Sequence, residues 1–209
     1  ANAPLSALDT AICMGASLSM AHGAAQAYKV AGAKTKAVGV LGDSTFFHSG
    51  ITSLMDAVYN QSDSISVILD NRITGMTGHQ ENPGTGFTLM GKPAPEVDIP
   101  ALVKAVGIKE ENIYTVNPLH LDEVDKVLDA CIASEEPTVI ITRWPCVLKK
   151  FSQQDLDEFK GLHQTQCHII QDKCRNCKAC VRTGCPALMS SKDDVVIDVN
   201  SCVGCTVCK

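Results

Sequence analysis

The feature that most constrains this chain is a cysteine triplet that occurs twice near its C-terminal end. Both copies have the spacing Cys-x-x-Cys-x-x-Cys, and Cys185-Pro186 follows the first copy. Three thiolates at this spacing fit one [4Fe–4S] cluster, because a tight loop carries the backbone around the cluster and points each sulfur inwards. The triplets are Cys174, Cys177 and Cys180, and Cys202, Cys205 and Cys208.

Two zinc sites built from Cys-x-x-Cys pairs are the alternative interpretation of the tail. Zinc takes four ligands and gains nothing from a third cysteine at the same spacing, so the pattern favours two clusters. In two-cluster ferredoxins the cysteine of a Cys-Pro pair ligates the cluster of the other triplet. We therefore assign Cys185 to the second cluster, with Cys202, Cys205 and Cys208.

The first triplet lacks a fourth ligand in this arrangement. Four residues, Val181 to Gly184, separate Cys180 from Cys185, where the usual spacing is three, and no second Cys-Pro follows Cys208 before the sequence ends. Either the ferredoxin-like part is truncated at its C-terminus or the first triplet finds its fourth ligand elsewhere. The nearest spare thiol is that of Cys167.

Composition indicates the compartment and excludes some partners. The chain has 11 cysteines, and an odd number with clustered spacing argues against a secreted disulfide framework and for a reducing, cytoplasmic location. A net charge of −5 gives no reason to expect a nucleic acid partner. No apolar run is long enough to span a membrane, so no membrane partner is expected.

Strand and helix patterns alternate from the start of the chain to about Pro145. The predicted strands cover residues 37–41, 65–69, 112–116 and 138–142, and the predicted helices cover 14–33, 49–59, 98–106 and 121–133. This alternation is typical of a doubly wound α/β fold with a parallel sheet. In the first helix, Gly15 and Gly23 are expected to permit close approach of a neighbouring segment.

The domain boundaries follow from the same pattern. Residues 1–148 form the doubly wound domain, 149–166 a polar linker with helical character at 155–160, and 167–209 a small α+β ferredoxin-like domain with a strand at 195–199. Residues 72–97 are rich in Gly, Pro, Thr and Asn. A loop of this length inside a compact domain is usually either functional or disordered.

Polar residues end two of the predicted strands. Gly42-Asp43-Ser44 closes the first strand, and Asn71 closes the second. A carboxylate, an amide and the backbone carbonyl of Ile73 can together hold one Mg²⁺, and a bound diphosphate would bridge the metal and the N–H groups of the Gly/Thr-rich loop 74–78. Ordinary turn chemistry is the alternative for each motif taken alone. The two motifs together, followed by the Gly/Thr-rich loop 74–78, favour a thiamine diphosphate site.

Four segments carry a family resemblance. Gly42–Ile51, Leu69–Gln80, Cys13–Ser17 and Gly184–Ala187 resemble the large subunit of indolepyruvate:ferredoxin oxidoreductases, within the 2-oxoacid:ferredoxin oxidoreductase superfamily. The resemblance implies that Asp43, Asn71 and the Ile73 carbonyl hold magnesium, and that Gly42, Ser44 and Thr74 line the diphosphate. Ser44 stands where the wider thiamine family has glycine.

The resemblance also implies an activity. Such an enzyme oxidatively decarboxylates aryl 2-oxoacids to acyl-coenzyme A and passes electrons through two [4Fe–4S] clusters to ferredoxin, together with a small companion subunit. No residue here matches the glutamate that activates thiamine in that family, so this chain alone holds an incomplete active site. An electron-transfer module with a structural α/β domain, or another 2-oxoacid as substrate, stays open. A non-oxidative thiamine decarboxylase would need no clusters, so the cysteine-rich tail argues against that class.

His48 is the one candidate catalytic side chain, because it follows the predicted magnesium loop. A histidine at a helix start more often makes a local hydrogen bond than it catalyses a reaction. Cys13 is interpreted as a small buried hydrophobic residue.

Overall fold

The computed structural model describes residues 6–161, 166–192, 194–206 and 208. Parts of the predicted first domain (1–5), linker (162–165) and tail (193, 207 and 209) therefore lie outside the described residues. The chain divides into two compact units. One is Thr10–Lys149, and the other contains Lys150–Lys209 with the described residues before Thr10.

The larger unit is built on a four-stranded sheet in the order β1-β2-β4-β3. All three strand pairs are parallel, as the alternating pattern predicts. The strands are β1 Val38–Gly42, β2 Ile65–Asp70, β3 Ile113–Val116 and β4 Thr138–Arg143. Together with helices on both faces, this topology confirms the doubly wound α/β prediction.

Five helices belong to this unit: α1 Ser17–Ala31, α2 Asp43–Thr45, α3 Ile51–Tyr59, α4 Ile99–Ala105 and α5 Leu121–Ala133. The bounds of α5 are those predicted, and most of the others differ by one to three residues. The largest difference lies before α3. There the chain turns helical at once after β1 and passes through a π-helical turn, Phe46–Gly50, instead of starting a helix at residue 49.

Successive strand residues point to opposite faces of the sheet, and each face has its own core. On one face, α1, α3 and α4 pack against β-strand side chains that include Leu41, Ile68 and Ile141. On the other face, α5 covers Ile65 and Ile140. Each fully buried side chain of this size stabilises the fold by about 1.5–3 kcal/mol, so the two layers account for most of the hydrophobic stabilisation.

The two glycines expected at close contacts behave differently. Gly15 has φ +89°, and a Cβ there would lie 2.0 Å from the Ser49 Oγ, so the chain before α1 approaches the π-helical turn closely. Gly23 has no atom within 4 Å of such a Cβ, so the expectation of close approach is wrong at this position. Gly23 faces open space on the helix.

A buried carboxylate joins the carboxyl ends of β2 and β4. Asp70 is 1% exposed, and its Oδ2 accepts a hydrogen bond from Arg143 Nε at 2.7 Å. Its Oδ1 accepts from the backbone N–H of Arg72 at 3.3 Å, and its carbonyl accepts from the N–H of Trp144 at 3.1 Å. These bonds fix the direction in which the chain leaves β2.

The described residues of the smaller unit form one α-helix, α6 Gln153–Glu158, two short 3₁₀ turns, and a two-stranded antiparallel sheet of β5 Leu188–Ser190 and β6 Val195–Ile197. The 3₁₀ turns are Gln171–Lys173 and Cys180–Thr183. A capping box between Ser152 and Asp155 begins α6. The strand expected at 195–199 is present but shorter, and β5 is an addition to the sequence prediction. The α+β character expected of the tail is confirmed.

Replacing Asp70 with asparagine should lower the free energy of unfolding by about 3 kcal/mol, because it removes the buried charge that binds the Arg143 Nε and the N–H of Arg72. Urea unfolding followed by circular dichroism measures the change. The matched control is Glu110→Gln, which removes one member of the exposed Lys104–Glu110 pair and should cost less than about 1 kcal/mol. Equal losses in the two variants would contradict the role given to Asp70.

Candidate cofactor sites

Asp43 is the first residue after β1 and is 3% exposed. Its Oδ1 accepts a hydrogen bond from the N–H of Ser44 at 2.8 Å, and its Oδ2 accepts from Asn82 Nδ2 at 3.0 Å. Asn82 is itself buried, and its Oδ1 accepts from the N–H of Gly84 at 2.9 Å. Asn82 ties the long loop to the carboxylate, and its role was not predicted from the sequence.

The electrostatic environment of Asp43 suits a bound cation. Burial raises its pKa to about 6, against the lowering effect of the hydrogen bonds from Asn82 and Ser44. The negative charge of Asp70 raises the pKa further, and the positive charge of Arg72 lowers it. Among the described side chains, none forms an ion pair with Asp43. A hard cation would therefore stabilise the ionised carboxylate.

The other predicted magnesium ligands follow β2. Because Gly42 pairs with Leu69 in the parallel register, Asp43 and Asn71 both lie at the carboxyl edge of the sheet. The Asn71 Oδ1 accepts a hydrogen bond from the N–H of Ile73 at 3.2 Å, which forms a tight turn around the half-buried amide. Ile73 is buried. This turn places an amide oxygen and a backbone carbonyl two residues apart in one short segment.

The loop predicted to bind diphosphate is closed by backbone hydrogen bonds. The N–H of Thr74 donates to the Gln80 carbonyl at 2.9 Å, and the Thr74 carbonyl accepts from the N–H of His79 at 3.1 Å. The His79 Nε2 lies 3.9 Å from the Cys146 Sγ, and the N–H of Cys146 donates to the Asn71 carbonyl at 2.9 Å. The loop is thus held beside Asn71, a contact that the sequence did not predict.

The donor set fits magnesium, since a carboxylate, an amide oxygen and a carbonyl are the hard oxygen ligands that the ion prefers. In the part of the chain that the structure describes, no three Asp, Glu, His or Cys side chains converge on one ion. The predicted magnesium site differs from such a cluster, because it contains a single carboxylate together with an amide oxygen and a backbone carbonyl. Asp43, Asn71 and Ile73 as ligands, with Gly42, Ser44 and Thr74 at the diphosphate, stay predictions.

Two further residues differ from their expected settings. His48 lies within the π-helical turn instead of at a helix start, and it is exposed. Cys13 is exposed, so its interpretation as a small buried hydrophobic residue is wrong. The close contact that the segment makes comes from Gly15.

The two cysteine triplets share an unusual backbone conformation. Asn176 and Lys178 have φ values of 48° and 58°, and Gly204 and Thr206, at the equivalent positions of the second triplet, have 68° and 60°. Left-handed residues between right-handed or extended ones turn successive N–H groups towards one centre, which favours a bound anionic group. Three of the four residues are not glycine, and a positive φ is strained for such residues. The strained residues therefore lie within the loops that are expected to hold the clusters.

The cysteine side chains are free thiols, and several of them lie close together. Burial raises the pKa of Cys208, and the neighbouring Cys167 thiol and then Cys185 raise it further. Four thiolates on a [4Fe–4S] cube each bind a different iron, so the absence of a single-ion site among the described residues is compatible with a cluster. The donor chemistry and the loop conformation fit the predicted clusters, whose assignment stays a prediction.

Comparison with known proteins places the larger unit in a family. Residues 1–142 match the family described as thiamine pyrophosphate enzyme, C-terminal TPP binding domain. The chain belongs to this family. The match covers the sheet edge that carries Asp43 and Asn71, and it confirms that the α/β unit is of the thiamine pyrophosphate type.

Among curated proteins, this thiamine pyrophosphate family member is similar to indolepyruvate oxidoreductase subunit IorA of Archaeoglobus fulgidus, with 39% identity over 99% of this chain and 32% of that protein. The subunit IorA of Methanothermobacter thermautotrophicus is 34% identical over 98% of this chain and 31% of its own length. The predicted resemblance is confirmed. The chain spans about a third of the length of the curated relatives that it matches.

A solved structure supports the fold. The 2-oxoglutarate:ferredoxin oxidoreductase from Magnetococcus marinus has a TM-score of 0.57 with 15% sequence identity, covering 69% of this chain and 50% of that one. At this identity the likeness concerns the fold alone. Within the described residues, none of the helices combines the length and the apolar character needed to cross a bilayer.

The buried Asp43 carboxyl makes the stability of the metal-free chain depend on pH. Its pKa rises from 3.8 to about 6 on folding, so the folded state binds the proton more tightly and loses stability as the pH rises through this interval. From about pH 5 to about pH 7.5 the free energy of unfolding should fall by roughly 1–2 kcal/mol through this group, because one pKa unit corresponds to about 1.4 kcal/mol.

Urea unfolding in the presence of a chelator measures this dependence. The Asp43→Ala variant serves as the reference, because it lacks the titrating group while every other ionisable residue is kept. If the two proteins show the same pH dependence, the Asp43 carboxyl titrates normally.

Proposed function

We propose that this chain provides the magnesium and thiamine diphosphate segment, together with the electron exit, of a 2-oxoacid:ferredoxin oxidoreductase. The observation that carries the proposal is the buried Asp43 carboxylate, which has no ion-pair partner among the described residues and lies at the carboxyl edge of a thiamine pyrophosphate family sheet. The paired cysteine loops in the same chain favour oxidation with single-electron transfer over simple decarboxylation.

The residues at the sheet edge would position the cofactor. Asp43 supplies the charged magnesium ligand, and Asn71 and the Ile73 carbonyl complete the protein share of its coordination. The N–H groups of Gly75, Met76 and Thr77 would be offered to the diphosphate, since those of Thr74, Gly78 and His79 donate within the loop. Asn82 orients the Asp43 carboxylate through its hydrogen bond. When bound, thiamine diphosphate supplies a nucleophilic carbon for attack on the keto carbon of a 2-oxoacid, and the protein supplies its position.

The tail would hold two [4Fe–4S] clusters. Cys174, Cys177 and Cys180 hold the first, and Cys202, Cys205 and Cys208 hold the second with Cys185 as the fourth ligand. After burial and the Cys167 thiol, Cys185 also raises the pKa of Cys208, as expected of two thiols that ligate one cluster. The left-handed residues in both triplets support two cluster-binding loops.

The names of the relatives support indolepyruvate, an aryl 2-oxoacid, as the substrate of the whole protein and a small companion subunit as its partner. Coenzyme A and ferredoxin are proposed from the family resemblance of the sequence motifs. A cytoplasmic location is proposed because 11 free cysteines suit a reducing compartment. A different 2-oxoacid is the alternative, and the ratio of kcat/KM for indolepyruvate and pyruvate, measured anaerobically on the assembled enzyme, decides between them.

Asp43→Ala should abolish magnesium-dependent binding of thiamine diphosphate and leave the fold intact, because the diphosphate then lacks a charged metal ligand. Titration calorimetry of the chain with the cofactor and magnesium measures the affinity. The matched control is Asp125→Ala, which removes an exposed carboxylate from α5 and should bind as the unmodified chain does. Unchanged affinity in the Asp43 variant removes the metal assignment. Absence of binding in the unmodified chain favours an electron-transfer module instead.

Cys185→Ala should damage the cluster of the second triplet. In a chain that carries Cys174→Ala and Cys177→Ala, adding the Cys185 change should remove most of the remaining iron. In a chain that carries Cys202→Ala and Cys205→Ala, the same change should leave the bound iron as it is. Iron counting and electron paramagnetic resonance on anaerobically reconstituted chains measure both results, and the reverse pattern would show that Cys185 ligates its sequence neighbours.

A further inference from the structure

Cys167 belongs to neither triplet, yet its thiol lies beside one of the proposed cluster ligands. Cys167 and Cys208 are both half-buried and line the same cavity, and after burial the Cys167 thiol is the strongest influence that raises the pKa of Cys208. The two residues are far apart in sequence, so the contact is a feature of the folded tail. Neither the family match nor the triplet spacing accounts for it.

A cavity of about 560 Å³ in the smaller unit brings Cys167 together with members of both triplets. Cys180 and Cys208 contribute to its wall along with Cys167. Most of the remaining wall is apolar and includes Leu188 and Ile197. A hydrogen bond to a charged sulfur is stronger in such surroundings than in water, because the local dielectric constant is lower.

Two glutamine side chains hold the Cys167 segment in place. Gln166 Nε2 donates to the Val199 carbonyl at 2.6 Å, and Gln171 Nε2 donates to the Val195 carbonyl at 2.9 Å. Both acceptors belong to β6 or to the residues just after it, and the second triplet begins shortly after Val199. The segment that carries Cys167 is therefore anchored before and after this residue. Both anchors bind the β6 region, which leads into the second triplet.

We propose that Cys167 is a positioning residue that donates an S–H···S hydrogen bond to the iron-bound sulfur of Cys208 and raises the reduction potential of that cluster. This proposal rests on the proposed function, because it requires Cys208 to be a ligand. A cysteine bound to iron is a thiolate and has no proton to donate, so Cys167 is the donor. Hydrogen bonds to the cluster sulfurs stabilise the more negative, reduced state and so raise the potential.

The test uses the anaerobically reconstituted chain and three single variants. Cys167→Ala should keep the iron and sulfide content of the unmodified chain, while one of its two midpoint potentials becomes more negative. Cys167→Ser should restore most of the difference, because a hydroxyl can donate the same hydrogen bond. Cys13→Ala is the control, since it removes an exposed thiol from the other unit and should change neither potential. Potentiometric titration followed by electron paramagnetic resonance gives the potentials.

Each result either supports or overturns the proposal. Loss of iron from Cys167→Ala would mean that Cys167 is itself a ligand, and unchanged potentials would mean that its thiol does not act on the cluster. A potential that shifts equally in the alanine and serine variants would indicate a packing effect and also overturn it. If the unmodified chain takes up no iron, the proposed cluster function fails before the variants are compared, and the role given to Cys167 fails with it.

Discussion

The carboxyl edge of the sheet depends on one buried charged group. Asp70 binds Arg143 of the adjacent strand and the N–H of Arg72, and its carbonyl binds Trp144, so a single residue fixes the exit of the chain from β2 and the start of the segment after β4. Because a buried charge is costly without its partners, alternative arrangements of this turn are strongly disfavoured. The position of Asn71, the next residue, follows from that constraint.

Both candidate cofactor regions use strained backbone at residues other than glycine. Arg72 and His79 have φ values of 61° and 65° in the loop after β2, and Asn176, Lys178 and Thr206 have comparable values in the tail. Each such residue costs on the order of 1–3 kcal/mol and persists only where the surrounding structure enforces it. The two units therefore concentrate backbone strain beside the proposed ligands. In the larger unit the ion pair between the buried Arg72 guanidinium and the exposed Glu96 carboxylate helps to enforce it.

Periodic features of the structure could be predicted from the sequence, and contacts between distant residues could not. The helix 121–133 was predicted to the residue because its apolar spacing directly records which side faces the core. The strand β5 is only three residues long, and such a short run carries no periodic signal. The bond from Asn82 to Asp43 spans 39 residues across a loop without periodicity, and the contact between Cys167 and Cys208 is similarly remote. Spacing predicts the ligands, but only the folded structure shows which residues surround them.

The backbone geometry at Gly15 limits which residues can occupy this position. A side chain there meets two independent obstacles, because the φ of +89° disfavours every residue with a Cβ and the Ser49 Oγ already occupies the space that the Cβ would need. Replacing Ser49 with alanine would remove the Oγ but leave the Cβ of residue 49 at 2.9 Å, and the unfavourable φ would remain. No single substitution can therefore replace Gly15. The glycine of the Cys13–Ser17 segment is a steric requirement of the fold, and its presence needs no catalytic explanation.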